Sequence, residues 1–326
     1  MNFLEKQIWH LSKAIDPTFR TASGMRYINW YPKKESWIEH FILNRFPDRK
    51  CYDDINIVGV YGKRWRINLY GGRKIFFSGE NLAPCTERAT LINNGKVVTH
   101  KNIEKYGDYL LKDVDLSLAF KSDENATNYL RWPLWIWYLV GYDSTYNDIK
   151  NIVSDINSKY SKAEKDSVLV CSHDHWGMRT MICDALKNEM DITYAGKWRN
   201  NTDELWTKFN NNKIEYLNNF KFNICPENMD AEDYCTEKLF EALLGGCIPI
   251  YAGCNNNPEP GIINENFIIK WNMDGDNSEN IKLIRRLKND DIFYRKWMKQ
   301  DKLHPYAAEY IYDRMQKLED KLRDIL

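Results

Sequence analysis

Between Lys221 and Gly253 the chain reads KFNICPENMDAEDYCTEKLFEALLGGCIPIYAG, and this stretch holds the residues best spaced for chemistry. A short apolar run ending at Cys225 reads as a buried strand, with the polar pair Glu227 and Asn228 just past its carboxyl end. In parallel α/β sheets, ligands bind beyond the carboxyl ends of strands. Thr236-Glu237-Lys238 then opens a helical pattern that stops at Gly245-Gly246. A helix N-terminus presents unpaired N–H groups and a partial positive charge, which suits phosphate, and Thr236 is the residue type that caps such an end. Lys238 in the first turn is unfavourable for a bare helix and easier to understand if an anion sits there as well. Glu237 offers an acceptor for ribose or sugar hydroxyls. The chemistry suggested is the binding of a phosphorylated, hydroxyl-rich ligand.

Such residues need a scaffold, and the pattern around them supplies one. Short apolar runs at Ile55–Gly62, Lys74–Ser78 and Val114–Phe120 read as strands, and Trp132–Val140 as an apolar helix entered through Pro133. Lys150–Asp166 is polar and reads as a helix and linker between two halves. A second series follows: strands at Ser167–Val170, Asp191–Gly196, Phe222–Cys225, Cys247–Ala252 and Phe267–Ile269, with helices at Met178–Lys187 and Thr236–Leu244. This alternation predicts parallel α/β sheets. The expected division is an N-terminal domain over residues 1–150, a second over 151–305, and an amphipathic helix over 306–326. In that helix Ile311, Met315, Leu318, Leu322 and Ile325 form one apolar stripe, which suits packing on its own chain, a dimer seam or a peripheral membrane contact.

Composition narrows the class. Lys+Arg and Asp+Glu both number 46, so the chain lacks the basic excess expected of a nucleic-acid binder. The 12 Trp and 20 Tyr are compatible with stacking against sugar C–H faces. None of the eight cysteines forms a C-x-x-C pair, so free thiols are expected and a zinc site is not. Met1–Lys13 is too short and charged for a signal peptide, and no apolar run approaches a membrane span. A cytoplasmic location, with peripheral membrane association as the variant, is the expectation.

The Lys221–Gly253 segment resembles glycosyltransferase family 10, the α-1,3/1,4-fucosyltransferases of bacterial or viral type. The likeness rests on Phe222, Ile224, Glu227 and Asn228, then Tyr234, Thr236, Glu237 and Lys238, then Ile248, Pro249, Ile250, Tyr251 and Gly253. Phe77-Ser78-Gly79-Glu80-Asn81 and Tyr129-Leu130-Arg131-Trp132-Pro133-Leu134 resemble two further family motifs, and Arg179 matches an arginine near the donor phosphates. The chain departs from the pattern at Pro226, Cys235 and Cys171-Ser172-His173.

The resemblance implies a GT-B fold, two Rossmann-like domains facing across a cleft. It implies GDP-fucose held by Arg179, Glu227, Asn228, Tyr234, Thr236, Glu237 and Lys238, with His173 in the donor pocket. Asn81 and Arg131 fall on the acceptor side, facing an oligosaccharide or glycoconjugate of GlcNAc or N-acetyllactosamine type. Glu80 is the expected base of an inverting displacement. No cofactor or metal is required, although Mn²⁺ or Mg²⁺ on the diphosphate could stimulate. The departures leave two alternatives open, a different nucleotide sugar or a glycan-binding homologue without turnover. Two weaker signals are set aside: Asp274-Gly275-Asp276 reads as a turn, and His173-Asp174-His175 as a loop at a strand end.

Overall fold

The computed structural model describes residues 18–82, 104–122 and 124–326. Cys85 and the Met1–Lys13 segment lie outside them. In chain order the elements are β1 (Phe19–Arg20), β2 (Arg26–Ile28), α1 (Trp37–Arg45), β3 (Ile55–Val58), β4 (Arg73–Phe77), β5 (Leu116–Ala119), β6 (Tyr129–Arg131), α2 (Trp135–Leu139) and α3 (Tyr146–Ser158). The second series runs β7 (Lys165–Leu169), α4 (Met178–Leu186), β8 (Ile192–Tyr194), α5 (Glu204–Thr207), α6 (Lys213–Leu217), β9 (Phe220–Ile224), α7 (Glu237–Leu244), β10 (Ile248–Tyr251), β11 (Ile269–Lys270), α8 (Ser278–Asn289), α9 (Asp291–Met298) and α10 (Ala307–Ile325).

The first sheet has six strands in sequence order, parallel except for the β1–β2 pair. The second is a five-stranded parallel sheet in the order β11-β10-β9-β7-β8. Counted within its own half, that is the doubly wound order 2-1-3-4-5. Its winding direction reverses between β7 and β9, and the loops leaving those two strands open a crevice at their carboxyl ends. Both sheets have fully buried apolar strands, as parallel sheets covered on two faces require.

Residue 150 falls inside α3, a helix begun by a capping box in which Thr145 and Asp148 satisfy each other's backbone N–H groups. Ile149, Val153 and Ile156 are its buried face. The stretch 159–164 that follows has no helix or strand and leads into β7.

The α10 stripe settles its own alternatives. Ile311, Met315, Leu318 and Leu322 are completely buried, and the helix packs back against α3 and β5. Arg45–Glu319, Tyr146–Glu309 and Lys321 on the Thr127 carbonyl tie it to the first half. The expectation of a dimer seam or membrane contact through this stripe is therefore corrected: its apolar face is consumed within the chain. No helix among the described residues is long and apolar enough to cross a membrane. The seven described cysteines are free thiols.

The two halves are fastened by more than α10. Trp135 on α2 stacks on Phe240 of α7, with centroids 4.2 Å apart. Arg131, at the end of β6, donates to both carboxylate oxygens of Glu259, at 2.8 and 3.1 Å, and to the Tyr310 hydroxyl at 2.6 Å. The Glu259 side chain is only 3% exposed, so the pair is desolvated. Removing one partner of such a pair strands the other charge, at a typical cost of about 3–5 kcal/mol. Glu259→Ala is expected to lower stability by about that amount, read as a fall in the denaturant midpoint.

Candidate active site

A cleft of about 700 Å³ lies between the halves. The first half contributes Trp30, Tyr31, Tyr61, Glu80, Trp137 and Tyr138 among others, and the second contributes Asn228, Tyr234, Thr236, Glu237 and Lys238. Six residues singled out from sequence thus line one cavity, Glu80 from one wall and the other five from the opposite one.

The second wall is built on a residue that does not line the cleft. Glu227 is completely buried, and four donors converge on its carboxylate. The Thr236 N–H reaches Oε1 at 2.8 Å and the Thr236 hydroxyl reaches Oε2 at 2.6 Å. Lys238 Nζ is 3.2 Å from Oε2, and the Tyr251 hydroxyl 3.3 Å from Oε1. This corrects two expectations. Thr236 occupies the N-cap position but makes no side-chain cap: its hydroxyl donates to Glu227, and its oxygen accepts from Lys238 Nζ at 2.7 Å instead of from the helix N–H groups. Glu227 cannot reach a ligand and instead orients Lys238.

Gly253 belongs to the same construction. Its φ is +144°, and a Cβ there would meet Glu227 Cγ at 2.8 Å and the Tyr251 hydroxyl at 3.0 Å. Gly253→Ala is expected to cost about 1–3 kcal/mol through backbone strain and overpacking, measured as a lower unfolding midpoint.

The electrostatics follow from this geometry. Burial works against the Lys238 charge, but Glu227 and Glu237 outweigh it and hold the ammonium above its ordinary pKa. Glu237 is likewise penalised by burial, yet Lys238 and Lys213 hold its carboxyl below the usual range. At neutral pH the cleft therefore presents a fixed cation beside an ionised acceptor. Lys238 in the first turn needs no bound anion to explain it, since these two carboxylates already balance it.

Arg179 sits behind this wall, 4% exposed, on the first turn of α4. Its Nη1 donates to the His173 carbonyl at 2.6 Å and its Nη2 to Asn228 Oδ1 at 2.8 Å, across the β7–β9 crevice. With Oδ1 engaged, Asn228 is left its amide N–H groups to offer the cleft. His173 is exposed and stacks on His175, with centroids 4.2 Å apart. Asp174 accepts from the backbone N–H groups of Arg179 and Thr180, so the α4 N-terminus already carries a carboxylate.

On the opposite wall, Glu80 follows β4. Its backbone is fixed by Ser78, whose hydroxyl donates to the Glu80 carbonyl at 2.8 Å, and the Tyr61 hydroxyl donates to Glu80 Oε1 at 2.8 Å. Tyr234 is buried against Phe120 edge to face, centroids 5.0 Å apart, and still reaches the cleft. Tyr61, Trp137 and Tyr138 were not foreseen. Tyr61 closes the Ile55–Gly62 run that the sequence marks as a strand and turn, and that position past a strand end was the available signal.

Two expected acceptor-side residues fall elsewhere. Arg131 is committed to Glu259 and Tyr310, as described above. Asn81 donates to Met229 Sδ and lines an adjoining hollow of about 130 Å³ with Phe120 and Asp233, and Glu80 borders both this hollow and the cleft. Asp274-Gly275-Asp276 is a turn, with Asp276 accepting from the Ser278 N–H and hydroxyl. Among the described residues no group of three or more His, Cys, Asp or Glu is placed to hold a metal ion.

Two α/β sheets with a cleft between them form a scaffold of the GT-B kind. Residues 160–319 match the glycosyltransferase family 10 (fucosyltransferase) C-terminal domain, and residues 27–138 match the alpha-(1,3)-fucosyltransferase FucT N-terminal domain. The chain belongs to glycosyltransferase family 10. An alpha-(1,3)-fucosyltransferase FucT of Helicobacter pylori is 36% identical over 85 residues, 26% of this chain and 17% of that protein. The chain spans about a fifth of the length of the curated relatives it matches. A crystal structure of an alpha1,3-fucosyltransferase superposes with a TM-score of 0.58 at 17% identity, covering 90% of this chain and 89% of that one. The same enzyme class crystallised with GDP-fucose gives a TM-score of 0.51 at 17% identity, covering 83% and 79%. Both likenesses establish the shared fold.

Proposed function

We propose that this protein is an inverting fucosyltransferase that moves L-fucose from GDP-fucose to a hydroxyl of a glycan acceptor. The observation that carries the reading is the cleft itself, with Glu80 on one wall and Asn228, Tyr234, Glu237 and Lys238 on the other. Family membership supports the reaction class, and the fold shared with an enzyme crystallised with GDP-fucose supports the donor.

In this mechanism the acceptor oxygen attacks the fucose anomeric carbon as the bond from that carbon to the diphosphate breaks. Glu80 takes the acceptor proton, and GDP leaves with the bonding pair. Charge develops on the departing phosphate, and Lys238 stabilises it directly because it is held protonated in a desolvated wall. Arg179 acts from behind, through its field and through Asn228, whose amide it aims. Glu237 accepts from ribose or fucose hydroxyls, and Tyr234 packs against the donor. The aromatic residues of the first half give the acceptor sugar apolar surface. Any stimulation by Mn²⁺ or Mg²⁺ acts through the diphosphate.

The test is GDP release from GDP-fucose with and without N-acetyllactosamine, lactose or GlcNAc. Acceptor-dependent release, with a product heavier by one deoxyhexose, is expected. Thermal stabilisation by UDP or CMP but not GDP would overturn the donor, and a different sugar on the same scaffold would replace it.

A further inference from the structure

We infer that Tyr61 is a positioning residue for the displacement: its hydroxyl pins one oxygen of Glu80 and reserves the other for the acceptor proton. The inference rests on the reading of Glu80 as the base. Of the two carboxylate oxygens, Oε1 takes the Tyr61 proton at 2.8 Å, while no other described donor reaches either oxygen. Burial, with Glu80 beside it, pushes the Tyr61 phenol well above its ordinary pKa, so it stays protonated and can only donate to this carboxylate.

The loop that carries Tyr61 is locked in place. Tyr61 N–H donates to the Asn29 carbonyl at 2.9 Å. The Asn29 amide donates to the Lys63 carbonyl and the Tyr106 hydroxyl, each at 3.1 Å, and Tyr106 donates to the Gly62 carbonyl at 3.1 Å. Gly62 is required for this approach, since a Cβ there would lie 1.9 Å from Asn29 Oδ1. The Tyr61 ring meets Tyr31 edge to face at 6.4 Å, and both line the cleft.

A donated hydrogen bond fixes the orientation of the carboxylate. It also removes a rotational freedom that would otherwise carry the base out of reach, and misplacement of a reacting group by about 1 Å can cost 10²-fold. A tyrosine that merely filled space on the wall would need no hydroxyl at this point.

The experiment is a double-mutant cycle on GDP-fucose and N-acetyllactosamine with Y61F, E80Q and the double variant. Y61F is expected to lower kcat about 10- to 100-fold with the KM for GDP-fucose and the unfolding midpoint unchanged. In the E80Q background the same change is expected to have no further effect, because the pinned carboxylate is gone. Wild-type kcat in Y61F, or additive losses in the double variant, would overturn the proposal while leaving Glu80 in place. Full activity in E80Q would instead remove Glu80 as base, and the proposal with it. Should Y61F unfold, Y61H, which keeps a donor, is the second variant, and activity below that of E80Q in it would count against the inference.

Discussion

Glu80→Gln is expected to slow fucosyl transfer by about 10²–10⁴-fold, the usual contribution of a positioned general base. The unfolding midpoint and the thermal shift produced by GDP are expected to stay as in the wild type. The split follows from where Glu80 sits. Its backbone is held by Ser78, and its side chain accepts from the Tyr61 hydroxyl on the wall opposite Lys238. The substitution keeps the shape and removes only the capacity to take a proton. A parallel loss of GDP binding would move Glu80 to the donor side, and an unchanged transfer rate would remove it from the mechanism.

Much of this site is legible in the sequence because its second wall is local. Glu227, Asn228, Tyr234, Thr236, Glu237 and Lys238 lie within twelve positions, between a strand end and a helix start, where parallel sheets place ligands. The strands themselves show as short apolar runs, and the glycines at Gly245-Gly246 mark where α7 stops. What sequence patterns do not show is which neighbour consumes a given polar group. Thr236 has the type and position of a cap, yet Glu227, nine residues earlier, takes its hydroxyl and N–H together. Arg131 stands in a motif that reads as acceptor-facing, but its partner Glu259 lies 128 residues downstream and turns it into a clamp between the halves.

The same limit explains α10 and Tyr61. An apolar stripe at helical spacing records that a face is buried, not against what. Here the covering elements, α3 and β5, belong to the first half and are far away in sequence. Tyr61 meets Glu80 only because β3 and β4 are adjacent parallel strands whose carboxyl-end loops meet. Nineteen residues separate them, and no periodicity couples the two loops. The winding of the second sheet, which puts the β7 and β9 loops side by side, is likewise a property of strand order and not of any strand's composition.

Glu227→Gln is expected to destabilise the protein by about 3–5 kcal/mol, the range found when one member of a buried ion pair is removed. The reason lies in the count of donors. The Thr236 N–H, the Thr236 hydroxyl, Lys238 and Tyr251 all point at this carboxylate, two on each oxygen. A glutamine offers one oxygen and replaces the other with a donor, so whichever way the amide turns, one side sets donor against donor. One of the two carboxylates that balance the half-buried Lys238 is lost at the same time. GDP-induced stabilisation should fall with it, since Thr236, Lys238 and the start of α7 are placed by Glu227. A second substitution separates these causes. With Lys238→Met added, the stranded cation is gone, and part of the lost stability should return, as expected when a buried charge pair is replaced as a unit. Transfer should not return, because the diphosphate still lacks its cation. Additive destabilisation in the double variant would show that Glu227 serves Thr236 and Tyr251 alone, and that Lys238 is placed by something else.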